Sequence, residues 1–250
     1  MEELRFQTLR EIIAEPMSTP RFVIGSWLLP EGGNMILYGK QGSWKSWMAI
    51  AAAVAVSTGR PWLERYETEM GRVMVIQTEQ PRPMYRHRLI SYTRHLGTIL
   101  PDNLVICTSL DLRIDTPHGA ASVKQAVEAF KPTLVILDDV YHLMSNPTKE
   151  EVSIRRYIDV VDGIRAVSSA AWLHVHHPRK AEFEEGLSSD ELYGSALFGW
   201  WADTIVRAVA GGRRDDKHVV LEFQKVRNAE EEVGDVKVWI DSERLEFAVR

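Results

Sequence analysis

The amino-acid sequence predicts an α/β fold: a mostly parallel sheet flanked by helices, with antiparallel strands added at the C-terminal edge. Three observations predict it. Short apolar segments alternate with segments of helical period from Met35 to His176, the signature of strand–helix–strand units. One glycine-rich loop, Gly39–Ser46, lies directly between an apolar strand and an apolar helix. After Thr204 the pattern changes to strand-like runs joined by Gly211-Gly212 and by an acidic stretch.

The loop reads GKQGSWKS and follows the strand Met35 to Tyr38. It is close to the pattern in which backbone N–H groups converge on a polyphosphate. The following helix adds the positive end of its dipole. Lys45 is placed to reach the β- and γ-phosphates, and Ser46 to put its hydroxyl on Mg²⁺. ATP and Mg²⁺ are therefore the expected cofactors. Gly39, Lys40, Gln41, Gly42, Ser43, Trp44, Lys45, Ser46 and Trp47 form the expected nucleotide-binding segment. Trp44 stands where a glycine is usual. The expectation is an ordinary backbone conformation there, with the indole directed away from the phosphates. An ordinary glycine-rich turn before a helix is the bland alternative.

In chain order, Glu2 to Ala14 carries Leu4, Leu9, Ile12 and Ile13 at loosely helical spacing, and Pro16 and Pro20 end that pattern. Residues 1–21 are expected to be an N-terminal arm or lead-in, and residues 22–250 the main domain. Phe22 to Leu29 reads as extended, and Pro30 to Gly33 as a turn. Trp47 to Thr58 is rich in alanine and valine, as in a helix packed closely on a sheet, and Gly59 ends it. The segment from Arg72 to Glu79 contains a second strand. Pro81 to Leu96 reads as a helix carrying Arg82, Arg86, Arg88 and Arg94, with Gly97 as its stop. Those arginines suit either phosphate binding or a solvated face.

Leu104 to Thr108 is a third strand and Ala121 to Phe130 an amphipathic helix. Thr133 to Asp139 is an apolar strand ending in two acids, Glu150 to Val167 a helix, and Ala171 to His176 a further strand. Thr204 to Ala210, His218 to Lys225 and Val236 to Ile240 complete the strand set.

Ligands of open α/β sheets bind beyond the carboxyl ends of the strands. Asp138 and Asp139 close one strand there, and either suits the acid that holds Mg²⁺. Glu79 ends another; a carboxylate there would orient and deprotonate a water attacking the γ-phosphate. His176 and His177 end a third, where an imidazole could report on the γ-phosphate. The alternatives are a metal-binding His pair, which lacks the clustered ligands of a zinc site, and a solvent-facing pair.

Composition narrows the classes. The chain has 250 residues, is 45% hydrophobic and carries a net charge of −5, which gives no global basic signal for nucleic acid. One cysteine, Cys107, excludes an internal disulfide framework. Its place in LVICT predicts a small buried core residue. No signal peptide or membrane-spanning run is visible, so the expected compartment is the cytoplasm, with no membrane partner.

These residues carry a family resemblance. The chain resembles RecA-fold P-loop ATPases, nearest the RepA-type hexameric plasmid helicases and their stand-alone phage or plasmid relatives. More distantly it is similar to the ATPase domain of DnaB-type helicases. The matching segments are WLLPEGGNMILYGKQGSWKS (Trp27 to Ser46), IQTEQ around Glu79, LVILDDVYHLM (Leu134 to Met144), HHPRK (His176 to Lys180) and YGSALFGWWADTIVRA (Tyr193 to Ala208).

The resemblance implies a catalytic set of Lys45, Glu79, His177, Lys225 and Arg227, with Mg²⁺ at Ser46 and Asp138 or Asp139. In FQKVRN, Phe223 to Asn228, it implies a K-x-R finger whose Lys225 and Arg227 reach a neighbouring subunit's nucleotide. On a strand the two cations project from one face; exposed edge-strand cations are the alternative. It further implies a hexamer-like homo-oligomeric ring acting on single-stranded DNA. The composition of the loop Pro178 to Tyr193 argues mildly against DNA: Arg179 and Lys180 stand against Glu182, Glu184, Glu185, Asp190 and Glu191. A strand-annealing protein and a nucleotide-switched regulatory ATPase with a protein partner stay open.

Overall fold

A computed structural model of the chain describes residues 6–16, 19–94, 101–145, 150–177, 196–212, 217–241 and 245–249. Among the described residues the first elements are α1 (Leu9–Ala14), β1 (Phe22–Ile24), β2 (Leu29–Pro30), β3 (Asn34–Tyr38), α2 (Lys45–Thr58), β4 (Val73–Gln77), α3 (Arg82–Thr93) and β5 (Leu104–Thr108). It continues through α4 (Pro117–Phe130), β6 (Leu134–Asp138), α5 (Val140–Leu143), α6 (Glu150–Arg165), β7 (Ala171–His176) and α7 (Ala196–Trp201). It ends with β8 (Thr204–Gly211), β9 (His218–Val226), β10 (Val236–Asp241) and β11 (Glu246–Val249).

Among the described residues, nine strands form one sheet in the order β11-β10-β9-β8-β3-β7-β6-β4-β5. The six strands from β8 to β5 run parallel. β9, β10 and β11 are antiparallel additions beside β8. β1 and β2 form a separate two-stranded piece. Parallel strands need covered faces, and the alternation within each strand supplies both. Met35 and Leu37 of β3 join one apolar cluster with α2, while Ile36 and Tyr38 join the other. The first cluster also takes Tyr85 from α3; the second takes Val123 and Val127 from α4, Tyr157 from α6 and Phe198 from α7.

The alanine-rich α2 is buried almost all round, from Met48 to Ser57. Small side chains let it lie close over the sheet and hold the loop before it at the carboxyl edge of β3. Thr8 caps α1 and forms a reciprocal capping box with Glu11. That helix buries none of its residues.

Several expectations are corrected. Phe22 to Leu29 is not one extended run: residues 25–28 turn between β1 and β2. Cys107 is exposed rather than buried. Among the described residues β5 is the edge strand, bonded only to β4, so its apolar run LVICT is not enclosed there on both sides. β11 was not expected from sequence: it has four residues and follows Leu245, whose φ is +57°. α3 runs from Arg82 to Thr93, and the expected stop at Gly97 lies outside the described residues.

Candidate functional site

The carboxyl edge of the sheet gathers the loop after β3, the ends of β4 and β6, and the end of β7. Gly39 and Gly42 shape the loop. A Cβ on Gly39 would sit 2.3 Å from the Ala208 carbonyl oxygen, and Gly42 holds φ +83°. Ser43 turns back on Lys40, its backbone N–H and its hydroxyl both donating to the Lys40 carbonyl at 3.2 and 2.8 Å. Lys40 and Gln41 are exposed on the outer rim. Lys45 opens α2 and is buried, its ammonium donating to the carbonyls of Gly39 (2.7 Å) and Lys40 (2.8 Å). Burial pulls its pKa down to about 8, against the pull of Asp138, Glu79 and Asp139.

Trp44 departs from expectation. Its backbone is left-handed, φ 64° and ψ 11°, at the position where the resembling loops carry glycine. The turn into α2 demands that conformation, and side-chain packing offsets the cost of placing an L-residue there. The indole lies against Trp47 and Phe247, each with a centroid distance of 6.4 Å, and the Lys217 ammonium stands 5.9 Å from its ring. It forms a wall of the pocket and ties the loop to β11.

The two adjacent acids separate into different roles. Ser46 Oγ donates to Asp138 Oδ1 at 3.2 Å. Asp138 is fully enclosed, and burial, then the neighbouring Asp139 and Glu79, push its carboxyl up to about 7. Asp139 faces the other way. Its Oδ1 caps α5 by accepting from the His142 N–H (2.9 Å) and pairs with His142 Nδ1 (2.8 Å); its Oδ2 lies 3.5 Å from His177 Nε2. Thr78 clamps the strand ends together, its N–H donating to the Asp138 carbonyl at 2.9 Å. That contact sets Glu79 beside both acids.

A cavity of about 350 Å³ opens over this arrangement, lined by Gly42, Trp44, Lys45, Ser46, Trp47, Glu79, Gln80, Arg88 and His177 among others. His177 enters the site, whereas His176 is buried against Phe198 with ring centroids 5.4 Å apart. Sequence alone left Arg88 among four equivalent arginines. Here its guanidinium sits 5.7 Å from the Trp47 ring centroid, at the cavity. The residues suit a triphosphate with its metal: the cradle at Gly39 leaves no room for a side chain, and three close carboxylates offset by one ammonium favour an added cation.

Lys225 and Arg227 are not brought to this pocket. They lie where β9 ends beside the start of β8, at the opposite edge of the sheet. The Lys225 ammonium donates to the Gly199 carbonyl of α7 at 2.8 Å, and burial and the nearby Arg227 lower its pKa. Arg227 donates to Asp203 Oδ1 at 2.6 Å and to the Trp200 carbonyl at 3.2 Å. Asp203 in turn bonds Asn34 at the first residue of β3. The loop Pro178 to Tyr193 lies outside the described residues. Among the described residues, no helix is long and apolar enough to cross a membrane.

Comparisons with known proteins agree with this architecture. The chain resembles the flagellar accessory protein FlaH from Methanocaldococcus jannaschii, with a TM-score of 0.61 and 13% identity, covering 89% of this chain and 91% of that one. It also resembles a KaiC-like protein from the hyperthermophilic archaeon Pyrococcus horikoshii OT3, with a TM-score of 0.65 and 13% identity, covering 94% of this chain and 100% of that one. No curated protein sequence matches it. The family model described as AAA domain, AAA_25, matches residues 2–182, more than half of the chain. The chain therefore belongs to the AAA_25 family of AAA domains and has the fold of a RecA-like P-loop ATPase.

Proposed function

We propose that the protein binds and hydrolyses ATP as a ring-forming motor, and that single-stranded DNA is its track. In this reading the loop N–H groups and Lys45 hold the triphosphate, and Ser46 and Asp138 hold Mg²⁺. The metal would neutralise charge on the β- and γ-phosphates. Glu79 takes the proton of the attacking water, and His177 contacts the γ-phosphate. Arg88, braced on Trp47, adds a second cation at the pocket mouth.

The observation that carries the ring is the placement of Lys225 and Arg227. β3 has five residues and so spans about 17 Å. The phosphate loop leaves one end of it, and Asp203 with Arg227 sits at the other. Neither cation reaches its own subunit's phosphates and the Arg227 side chain is half exposed, so in this reading the finger acts on a neighbour. An arginine supplied in trans typically contributes about 10³-fold or more in rate.

A fold does not name its substrate. The acidic composition of the loop from Pro178 to Tyr193 favours a second reading: a nucleotide-switched assembly ATPase whose partner is a protein. The structural neighbour FlaH is a flagellar accessory protein, and an accessory role of that kind agrees with this reading. A RecA-like strand-annealing protein would instead pair DNA strands without unwinding them. Steady-state ATP turnover with and without single-stranded DNA, beside mass measurement of the assembly with a non-hydrolysable ATP analogue, separates the three. Stimulation by DNA from a ring supports the motor. Flat turnover sinks it, and nucleotide-dependent capture of a purified protein partner supports the switch.

A further inference from the structure

The acid not used at the phosphate loop points to a second metal site. Among the described residues, Glu79, Asp139 and His177 form a group whose ligand atoms all lie within 4.8 Å of one another. His177 Nε2 is enclosed and makes no hydrogen bond; the Asp139 carboxylate oxygen is 3.5 Å away. Bonds of about 2.0–2.1 Å to a tetrahedral ion place neighbouring ligand atoms about 3.3 Å apart, close to that separation. Asp139 is also oriented as metal-bound carboxylates are: its other oxygen is fixed by the backbone N–H and ring of His142. Ser46 and Asp138 face the loop instead, so the two acids serve different places.

From this geometry we infer that Glu79, Asp139 and His177 directly bind a divalent transition ion of the Co²⁺ or Zn²⁺ type, in the absence of nucleotide. One imidazole and two carboxylates favour such ions over Mg²⁺, which takes oxygen ligands and sheds water reluctantly. Three protein ligands leave one position for water. Binding rests on the ligand set alone. Its consequence rests on the reading of Glu79 as the base: a bound ion removes both Glu79 and His177 from the γ-phosphate and halts turnover in excess Mg²⁺.

The test is a calorimetric Co²⁺ titration of the full, tag-free, nucleotide-free chain in excess Mg²⁺, followed in parallel by the visible absorption of the ion. One ion per chain is expected. His177→Ala and Asp139→Asn, each checked for native circular dichroism, weaken it about tenfold or more. His87→Ala, on the exposed face of α3, leaves it unchanged. Absence of saturable Co²⁺ uptake overturns the inference, as does equal affinity in wild type and both ligand variants, or equal loss in His87→Ala. The Lys45→Ala chain separates this site from the ATP reading: it keeps Co²⁺ while losing nucleotide.

Discussion

Replacing Trp44 by glycine and by alanine tests whether the phosphate loop is built around a left-handed residue. Both changes remove the half-buried indole and its contacts with Trp47, Phe247 and Lys217. Half of a large aromatic side chain's burial contributes on the order of 1–2 kcal/mol, and both variants lose it equally. They differ at the backbone. At φ 64° a Cβ costs about 1–2 kcal/mol, while glycine forfeits about 0.4–1 kcal/mol by loosening the unfolded chain. Trp44→Gly is therefore more stable than Trp44→Ala by about 1 kcal/mol. In the interior of an exposed helix the order is reversed by a similar amount. For a chain of this length the difference is about 2–4 °C in Tm, readable by calorimetry and by urea unfolding. The glycine variant also keeps nucleotide affinity, because the loop retains its path. An alanine variant as stable as the glycine variant, or more so, refutes the reasoning.

Three further outcomes follow from the same geometry. Glu79→Gln leaves ATP affinity within about twofold and slows hydrolysis by orders of magnitude; equal loss of binding and turnover would give Glu79 a different role. Arg227→Ala subunits bind ATP normally and turn it over poorly, and mixing them with Lys45→Ala subunits restores part of the activity. A mixture no more active than its components removes the argument for action across an interface. His174 is fully buried, with Tyr157 Oη 2.8 Å from its Nδ1, and burial, then the charge of Arg165, drops its pKa to about 3. The fold keeps it neutral while the unfolded chain takes up a proton below about pH 6.5. Its contribution is thus complete above pH 6.5 and is lost as pH falls toward 3, by about 2 kcal/mol at pH 5. Urea unfolding at pH 7 and pH 5 reads this slope, and His174→Gln flattens it; an identical slope in the variant contradicts the assignment.

The parallel core was legible because each strand carries its apolar residues in an unbroken run bounded by turns, as LVIL before Asp138 and VMVI before Gln77 do. The phosphate loop was legible because its pattern is local. What sequence could not supply was whatever depends on the third dimension. Asp138 and Asp139 are neighbours in the chain with opposite orientations, and only the bond from Ser46 to Asp138 and the capping of α5 by Asp139 tell them apart. Arg88 was one of four arginines until Trp47 selected it. Cys107 was misjudged because an apolar strand at the edge of a sheet reads like one at its centre. At Trp44 a local rule gave way to tertiary packing from β11, a strand too short to announce itself.

Equilibrium binding of ATP with Mg²⁺ to the wild-type chain and to Lys45→Ala, monitored by calorimetry, bears most directly on the site at the carboxyl edge of the sheet. Saturable, Mg²⁺-dependent binding of one ATP per chain, lost on Lys45→Ala, is the predicted result. Wild-type protein that takes up no ATP, or a Lys45→Ala chain that binds it equally well, contradicts the account.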